Sequence, residues 1–446
     1  MADLTDLQKL IDTEAQALGV PGAAVGVLND GRRHVLTTGV TSVDAPAPVT
    51  GDTLFQIGST TKTVTATLIM HLVEQGEIRL DGRVRDYLRG FRLSDEAAAD
   101  AVTVEHLLTH TGGFLGDIDD GETWDTGALG ASIQGYGTLP QLFPPGAVAS
   151  YSNAGFRLLG RIAEVVTGLP YEEAARKHVL EPIGMADSFY FPWEAATRPH
   201  AVGHVVREDG AHVSHTWGLF REGMAEGGLL SSVADQLRYA AFHLSGESEG
   251  TAPLGADTRA LMQRDRVAVG VPWRAIGLPW LIEERAGVRL VTHGGNVGNL
   301  QLSSFVMAPE HGFAVTALTN AAPGRRLLDL VTAWCLEHLL GAVSSTQAPV
   351  LSGETVAEEY AGTYDAGQWL VHVTLDGSEL VATPELRPDL VLAGVEGLPV
   401  MRLSFSGDFL VPTADPSRPV GRFLRDEKGR IAFLHLGGRA AVLTPR

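Results

Sequence analysis

One cysteine, Cys335, is all the chain contains. An internal disulfide needs two, so no such framework staples the fold. The setting of Cys335, LLDLVTAWCLEHLL, is helical and apolar, which reads as a buried structural thiol. Lysine is nearly as scarce: Lys9, Lys62, Lys177 and Lys428 are the only ones among 34 basic residues. Basic residues are themselves outnumbered by 53 acidic ones, for a net charge of −19. That deficit argues against nucleic acid and anionic membranes as partners, because both require a basic footprint. No window is long and apolar enough to span a bilayer. The opening, MADLTDLQKLIDTEAQALG, lacks a basic n-region and an apolar h-region. A cytoplasmic protein is therefore expected.

What is present is the composition of a globular protein, 446 residues with 44% hydrophobic and 20% charged. That length suits two or three domains. Residues 4–18 read as a helix. GAAVGVLNDGRRHVLTTGV reads as a hairpin turning at Asn29-Asp30-Gly31. Helical spacing recurs from Ser59 to Gly76 in Val64, Leu68, Ile69 and Leu72. Mostly helical patterns fill about 85–245, and strands return in AIGLPWLIEE, VRLVTHG, LQLSSFVMA and FAVTALTN. A last amphipathic helix follows at about 324–341. The order predicts one α/β (α+β) domain over 1–341, with a sheet built from both ends and a helical insertion. Residues 342–357 read as a linker. Short strands with regular turns over 358–446 predict an antiparallel barrel or sandwich.

The chemistry centres on FQIGSTTK. Ser59 stands where a helix begins and reads either as an N-cap or as a nucleophile. Lys62, at i+3, falls on the same helix face. It can act as the base because a lysine, unlike an arginine, can lose its proton. S-x-x-K alone carries little weight. Tyr151-Ser152-Asn153 lies in a loop before another helix, and reads equally as a capping loop. There Tyr151 could relay a proton, a nearby cation lowering its pKa, and Asn153 could orient Lys62 or bind an amide. His293-Gly294-Gly295-Asn296 ends a strand, where paired glycines admit a close backbone. A bulge or bend is the plainer reading. The N–H groups of Ser59 and Asn296 could form an oxyanion hole.

Ser59-x-x-Lys62, Tyr151-x-Asn153 and His293-Gly294-Gly295 together resemble the three ordered motifs of the serine β-lactamase and penicillin-binding-protein superfamily. Class C β-lactamases, D-alanyl-D-alanine carboxypeptidases and related esterases are the nearest groups. VEHLLTHTGGF, FPPG, LEPIGM and AEGGLLSSVADQLRYAAF extend the resemblance across about residues 5–340. It implies a β-lactamase-like fold, an antiparallel sheet with a helical domain, and an acyl-enzyme mechanism. Ser59 would be the nucleophile, Lys62 its base, Tyr151 the relay, and Asn153 a ligand of Lys62 and of the substrate amide. His293 stands where most β-lactamases carry lysine, and Gly294 replaces a threonine. That departure weakens the hold on a carboxylate and favours peptidase, esterase or acyltransferase chemistry over β-lactam hydrolysis. EEYAGTYD and FLHLGGR resemble the lipocalin-like C-terminal domain of some D-aminopeptidases and penicillin-binding-protein-type thioesterases. Arg439 could there present a guanidinium to a substrate carboxylate, or merely solvate a barrel rim.

Other candidates carry less. His106 and His110 share zinc-like spacing, but the glutamate of H-E-x-x-H is missing and a structural role is expected. GDIDDGE at 116–122 lacks calcium-loop spacing and reads as a loop on the cleft side. Trp217 and Trp280 could wall a hydrophobic cleft, although such tryptophans are more often core. No metal or cofactor is expected. The expected substrate is a small molecule or a peptidyl group, free or on a carrier protein. The expected function is hydrolase or acyltransferase chemistry on a peptide, ester or thioester. Release or cyclisation of a nonribosomal peptide is favoured, beside transacylation in secondary metabolism. A D-aminopeptidase or esterase is the first alternative, and a non-catalytic binding or sensor module the second.

Overall fold

Antiparallel pairing runs through both halves of the chain. The computed structural model describes residues 4–118, 121, 123–342, 358–367, 369–386, 400–415 and 419–444. The expected linker, apart from Ala342, lies outside the described residues.

Helix α1 (Thr5–Leu18) buries Leu7, Ile11 and Ala15, one stripe at helical spacing, and ends at Gly19 with φ 69°. Strands β1 (Gly22–Asn29) and β2 (Arg32–Gly39) form the expected hairpin. Its turn places Asp30 and Gly31 at φ 51° and 71°, the left-handed pair that a two-residue hairpin turn demands. Helix α2 (Thr61–Glu74) follows, then α3 (Asn153–Thr167) and α4 (Val233–Ser245). Between them helix dominates, but in short pieces, with a small strand pair at His204–Arg207 and Gly210–Val213. The late strands are β3 (Val267–Ala268), β4 (Ala275–Ile276), β5 (Leu281–Arg285), β6 (Val288–Val297), β7 (Gln301–Ala308) and β8 (Phe313–Thr319). Helix α5 (Gly324–Leu340) completes this part. The strands form one sheet in the order β2-β1-β8-β7-β6-β5-β4-β3, which joins both ends of the chain as expected.

Two apolar layers cover the sheet. On one face α1 and α5 pack Leu7, Ile11, Val331 and Cys335 against Val25, Leu290 and Val315. On the other, α2 and α4 bring Leu68, Ile69 and Leu237 against Ala24, Val291 and Leu318. Each fully buried Leu or Ile contributes roughly 1.5–3 kcal/mol. Burial pushes the Cys335 thiol up to about 12, in keeping with a structural role. Trp280, weighed above as a cleft wall, is instead fully buried beside Tyr239, His243 and Phe305.

The tail is a closed barrel of eight antiparallel strands, β9 (Gly362–Asp365), β10 (Trp369–Asp376), β11 (Glu379–Leu386), β12 (Met401–Ser406), β13 (Phe409–Pro412), β14 (Gly421–Arg425), β15 (Ile431–Leu436) and β16 (Arg439–Leu443). Strand β9 pairs with β16 and closes it. Among the described residues, no helix is long and apolar enough to cross a membrane.

Candidate active site

Strand β6 is longer than its outer neighbour. Pairing with β5 stops at Leu281↔Thr292, so among the described residues His293–Val297 has no partner strand on that edge. The turn before α2 sits there instead. Ser59 lies in a short 3-10 turn, Gly58–Thr60, and α2 starts two residues later than the spacing predicts. The turn is pinned from the sheet. Gln301 Oε1 accepts from Gln56 N at 2.9 Å, and Ser303 Oγ donates to Ile57 O at 2.7 Å. A Cβ on Gly295 would fall 1.8 Å from Ile57 O. Gly295 thus serves the approach of the protein's own backbone, whereas a Cβ on Gly294 would meet only Ser303 O, at 3.4 Å.

The Ser59 side chain caps no helix. Its Oγ lies 3.2 Å from Lys62 Nζ, and the Tyr151 hydroxyl lies beside it. Lys62 is buried on the first turn of α2. Its Nζ also lies 2.6 Å from Asn153 Oδ1 and 2.7 Å from Glu226 O. Burial, the largest influence, pushes the Lys62 amine down to about 7, against the charges of Glu226 and Asp117. A neutral amine has two N–H donors and one lone pair. Asn153 and Glu226 are the two nearer acceptors and take the donors, which leaves the lone pair for the Ser59 proton.

Asn153 opens α3, and Ser152 caps it by accepting from Gly155 N at 3.0 Å. The capping-loop reading therefore holds for Ser152 and leaves the Asn153 side chain to the site. One turn along α3, buried Arg157 donates to Glu226 Oε2 at 2.8 Å and Oε1 at 3.2 Å. That pair fixes the segment whose carbonyl holds Lys62. Arg157→Met should cost about 3–5 kcal/mol in urea unfolding, because it strands a buried carboxylate. Adding Glu226→Leu should recover most of the loss.

Tyr151 is corrected in its electrostatics. Burial outweighs every nearby cation and pushes the phenol up, where a lowered value was expected. Tyr151 is thus a neutral phenol, able to carry a proton but not to wait as a phenolate. His110 stacks on its ring, centroids 4.4 Å apart, and accepts from Ser152 N at 3.0 Å. His106 likewise uses Nδ1 on a backbone group, Thr103 N. His293, 2% exposed, lies with its ring 6.2 Å from that of Tyr151. Burial and the Lys62 charge push it down to about 3, so it is neutral. Its Nδ1 donates to Gly294 O at 2.9 Å, and its buried Nε2 has no partner among the described residues.

The barrel reaches into this site. The turn between β15 and β16 offers Gly438 O to Tyr151 N at 2.9 Å, and His435 Nε2 donates to Ala149 O at 3.0 Å. Arg439 stands over the Tyr151 ring at 5.0 Å. It grips Asp117 with two bonds, Nε to Oδ2 at 2.6 Å and Nη2 to Oδ1 at 3.1 Å. Asp117 also accepts from Asn153 Nδ2 at 2.8 Å. It comes from the acidic 116–122 stretch, read as a loop on the cleft side; residues 119, 120 and 122 lie outside the described residues. No pattern in the sequence singled out Asp117.

A cavity of about 520 Å³ is lined by Ser59, Tyr151, Asn153, His293–Asn296 and Arg439, and it continues past Gly294 to Glu283, Arg285 and α5. Trp273 lines it, and Trp217 does not. The Trp217 side chain packs with Leu54, Ala195 and Leu230 instead, so the cleft-wall reading is corrected. Trp273 was missed because its stretch, VGVPWRAIG, has no distinguishing pattern.

The chain is similar to several known proteins. The Beta-lactamase family profile matches residues 7–334. "Penicillin-binding protein 4" of Amycolatopsis lactamdurans is 36% identical over 344 residues, 74% of this chain and 87% of that protein. The crystal structure of SurE covers 98% of both chains at 27% identity with a TM-score of 0.79, and SurE with D-Leu gives 0.76. An octameric penicillin-binding protein homologue from Pyrococcus abyssi covers 99% of this chain and 100% of its own, at 25% identity with a TM-score of 0.67. The chain belongs to the β-lactamase family, within the superfamily of β-lactamase-like and penicillin-binding-protein-like serine hydrolases.

Proposed function

We propose that the protein is a serine acyl-enzyme hydrolase or acyltransferase that takes a peptidyl ester or thioester and releases or cyclises it. The observation that carries this reading is the Ser59 hydroxyl 3.2 Å from a buried lysine amine held near 7. A base of that strength is matched to work near neutral pH.

In the first step neutral Lys62 takes the Ser59 proton, and Oγ bonds to the acyl carbon. The negative oxygen that forms is held by the N–H groups of Ser59 and Asn296. The bond to the leaving group then breaks, and the Tyr151 hydroxyl gives that group a proton while Lys62 resupplies it. In the second step an amine or water loses a proton back along the same path, bonds to the acyl carbon, and Ser59 leaves as the hydroxyl. Asn153 keeps Lys62 aimed throughout.

Arg439 supports a peptidyl substrate with a free carboxylate, since a guanidinium can fork onto one. It lines the cavity beside Ser59. The structure of SurE with D-Leu supports an amino-acid-like ligand for this fold. A neutral His293 offers a β-lactam carboxylate no charge, so slow β-lactam turnover is expected. The acyl group could arrive free or on a carrier protein.

Intact-mass measurement with a fluorophosphonate is the first test: one adduct on the wild type and none on Ser59→Ala are expected. No adduct on the wild type would favour a binding module. The second test is a peptidyl thioester with a free amino terminus. Cyclic product supports cyclisation, linear acid a hydrolase of the aminopeptidase or esterase kind. Untouched substrate removes both.

A further inference from the structure

We propose that Asp117 is a positioning residue that couples Arg439 of the barrel to Lys62 through Asn153, so that the occupant of Arg439 sets how readily Lys62 accepts a proton. This rests on the reading above that Lys62 is the base for Ser59.

An unbroken chain of polar contacts links the two ends. Arg439 meets Asp117 at 2.6 and 3.1 Å, Asp117 meets Asn153 at 2.8 Å, Asn153 meets Lys62 at 2.6 Å, and Lys62 meets Ser59 at 3.2 Å. Asp117 is 8% exposed, so its charge is poorly screened. The Arg439 side chain keeps 35% of its surface exposed and lines the cavity, where a ligand can reach it. Asp117 therefore stands in the place a ligand carboxylate would compete for, with its other contact already on the catalytic apparatus.

The charges around Lys62 give the sign. Asp117 and Glu226 favour the ammonium form, and Arg439 and Arg157 oppose it. His110 and His293 are pushed down by burial and by the Lys62 charge, and buried Tyr151 is pushed up, so all three stay neutral near pH 7. In the free protein Arg439 opposes Asp117 at Lys62, Asp117 being the larger of the two influences. A carboxylate on Arg439 adds a negative charge to the pair, and Lys62 becomes the stronger base that an incoming ammonium group requires. Binding at the barrel thereby prepares the acceptor step.

The test is the rate of Ser59 labelling by a fluorophosphonate between pH 5.5 and 9, in the full chain. The wild-type rate should rise through a midpoint set by Lys62. Asp117→Asn should lower that midpoint and Arg439→Gln should raise it, each by on the order of half to one pH unit. Opposite displacements are the signature, since a residue that merely holds the fold would lower the rate at every pH. Labelling with both midpoints unmoved, or moved the same way, overturns the coupling and leaves the acyl-enzyme reading standing. No labelling of the wild type overturns both. Should Asp117→Asn not fold, Arg439→Gln decides alone: its midpoint rises or the coupling falls.

Discussion

Lys62→Met should abolish Ser59 labelling and, at pH 6, make the protein harder to unfold. The loss of rate should reach about 10²–10⁴, the range for a missing general base. The gain in stability follows from burial. Lys62 falls from 10.5 to about 7 on folding. Below pH 7 both folded and unfolded chains hold its proton, and folding must bury the charge at a cost of roughly 5 kcal/mol. Between pH 7 and 10.5 the unfolded chain holds more protons than the folded one, so wild-type stability rises with pH across that window. Methionine carries no charge and has no such slope. It also leaves Asn153 Oδ1 and Glu226 O without their donor, at about 1–3 kcal/mol each. Taking about 2 kcal/mol for each stranded acceptor, the variant should be more stable than wild type by about 1 kcal/mol at pH 6, and less stable at pH 10. Urea midpoints at pH 6, 8 and 10 check this. A difference that does not change with pH would show that the amine is not depressed, and the base assignment would lose its electrostatic support.

Gly295→Ala should be nearly as damaging, for a purely steric reason. The added methyl would lie 1.8 Å from Ile57 O and 2.6 Å from Ser303 Oγ. A backbone carbonyl cannot swing aside, so β6 or the Gly58–Thr60 turn must shift. Either movement spreads the Ser59 and Asn296 N–H groups. Labelling should fall about 10²–10³-fold, as when a donor to a forming oxyanion is lost. Stability should fall by about 1–3 kcal/mol, as for other overpacked sites. Gly294→Ala is the matched control. Its methyl meets only Ser303 O at 3.4 Å, and labelling near the wild-type rate is expected. Equal losses in the two variants would contradict the role given to Gly295.

Both experiments probe features of unequal legibility. Ser59, Lys62, Tyr151 and Asn153 come from motifs within a few residues, and the structure brings all four together. Asp117 and Arg439 are 322 residues apart. Nothing local marks them as partners, because a salt link depends on where the chain folds and not on what flanks each residue. Tyr151 teaches the same lesson in its charge state. A neighbouring cation was foreseeable from the motif, but the depth of burial was not, and burial wins. Three tryptophans make the point for packing. Trp217, Trp273 and Trp280 all sit in loops or strand ends of similar composition, yet one packs on Leu54, one lines the cavity and one fills the core.

By itself the sequence determined the elements and their kind. Period 3.6 in α1, α2 and α5, the Asp30-Gly31 turn, and short alternating strands after 358 are set by neighbours two to four residues away, and those interactions act before any tertiary contact. Only the tertiary structure decided what the barrel does. Its β15–β16 turn carries Gly438 and Arg439 to Tyr151 and Asp117, and through Asn153 to the amine beside Ser59. Charge and burial at a site are sums over everything nearby in space, and that list is written by the fold.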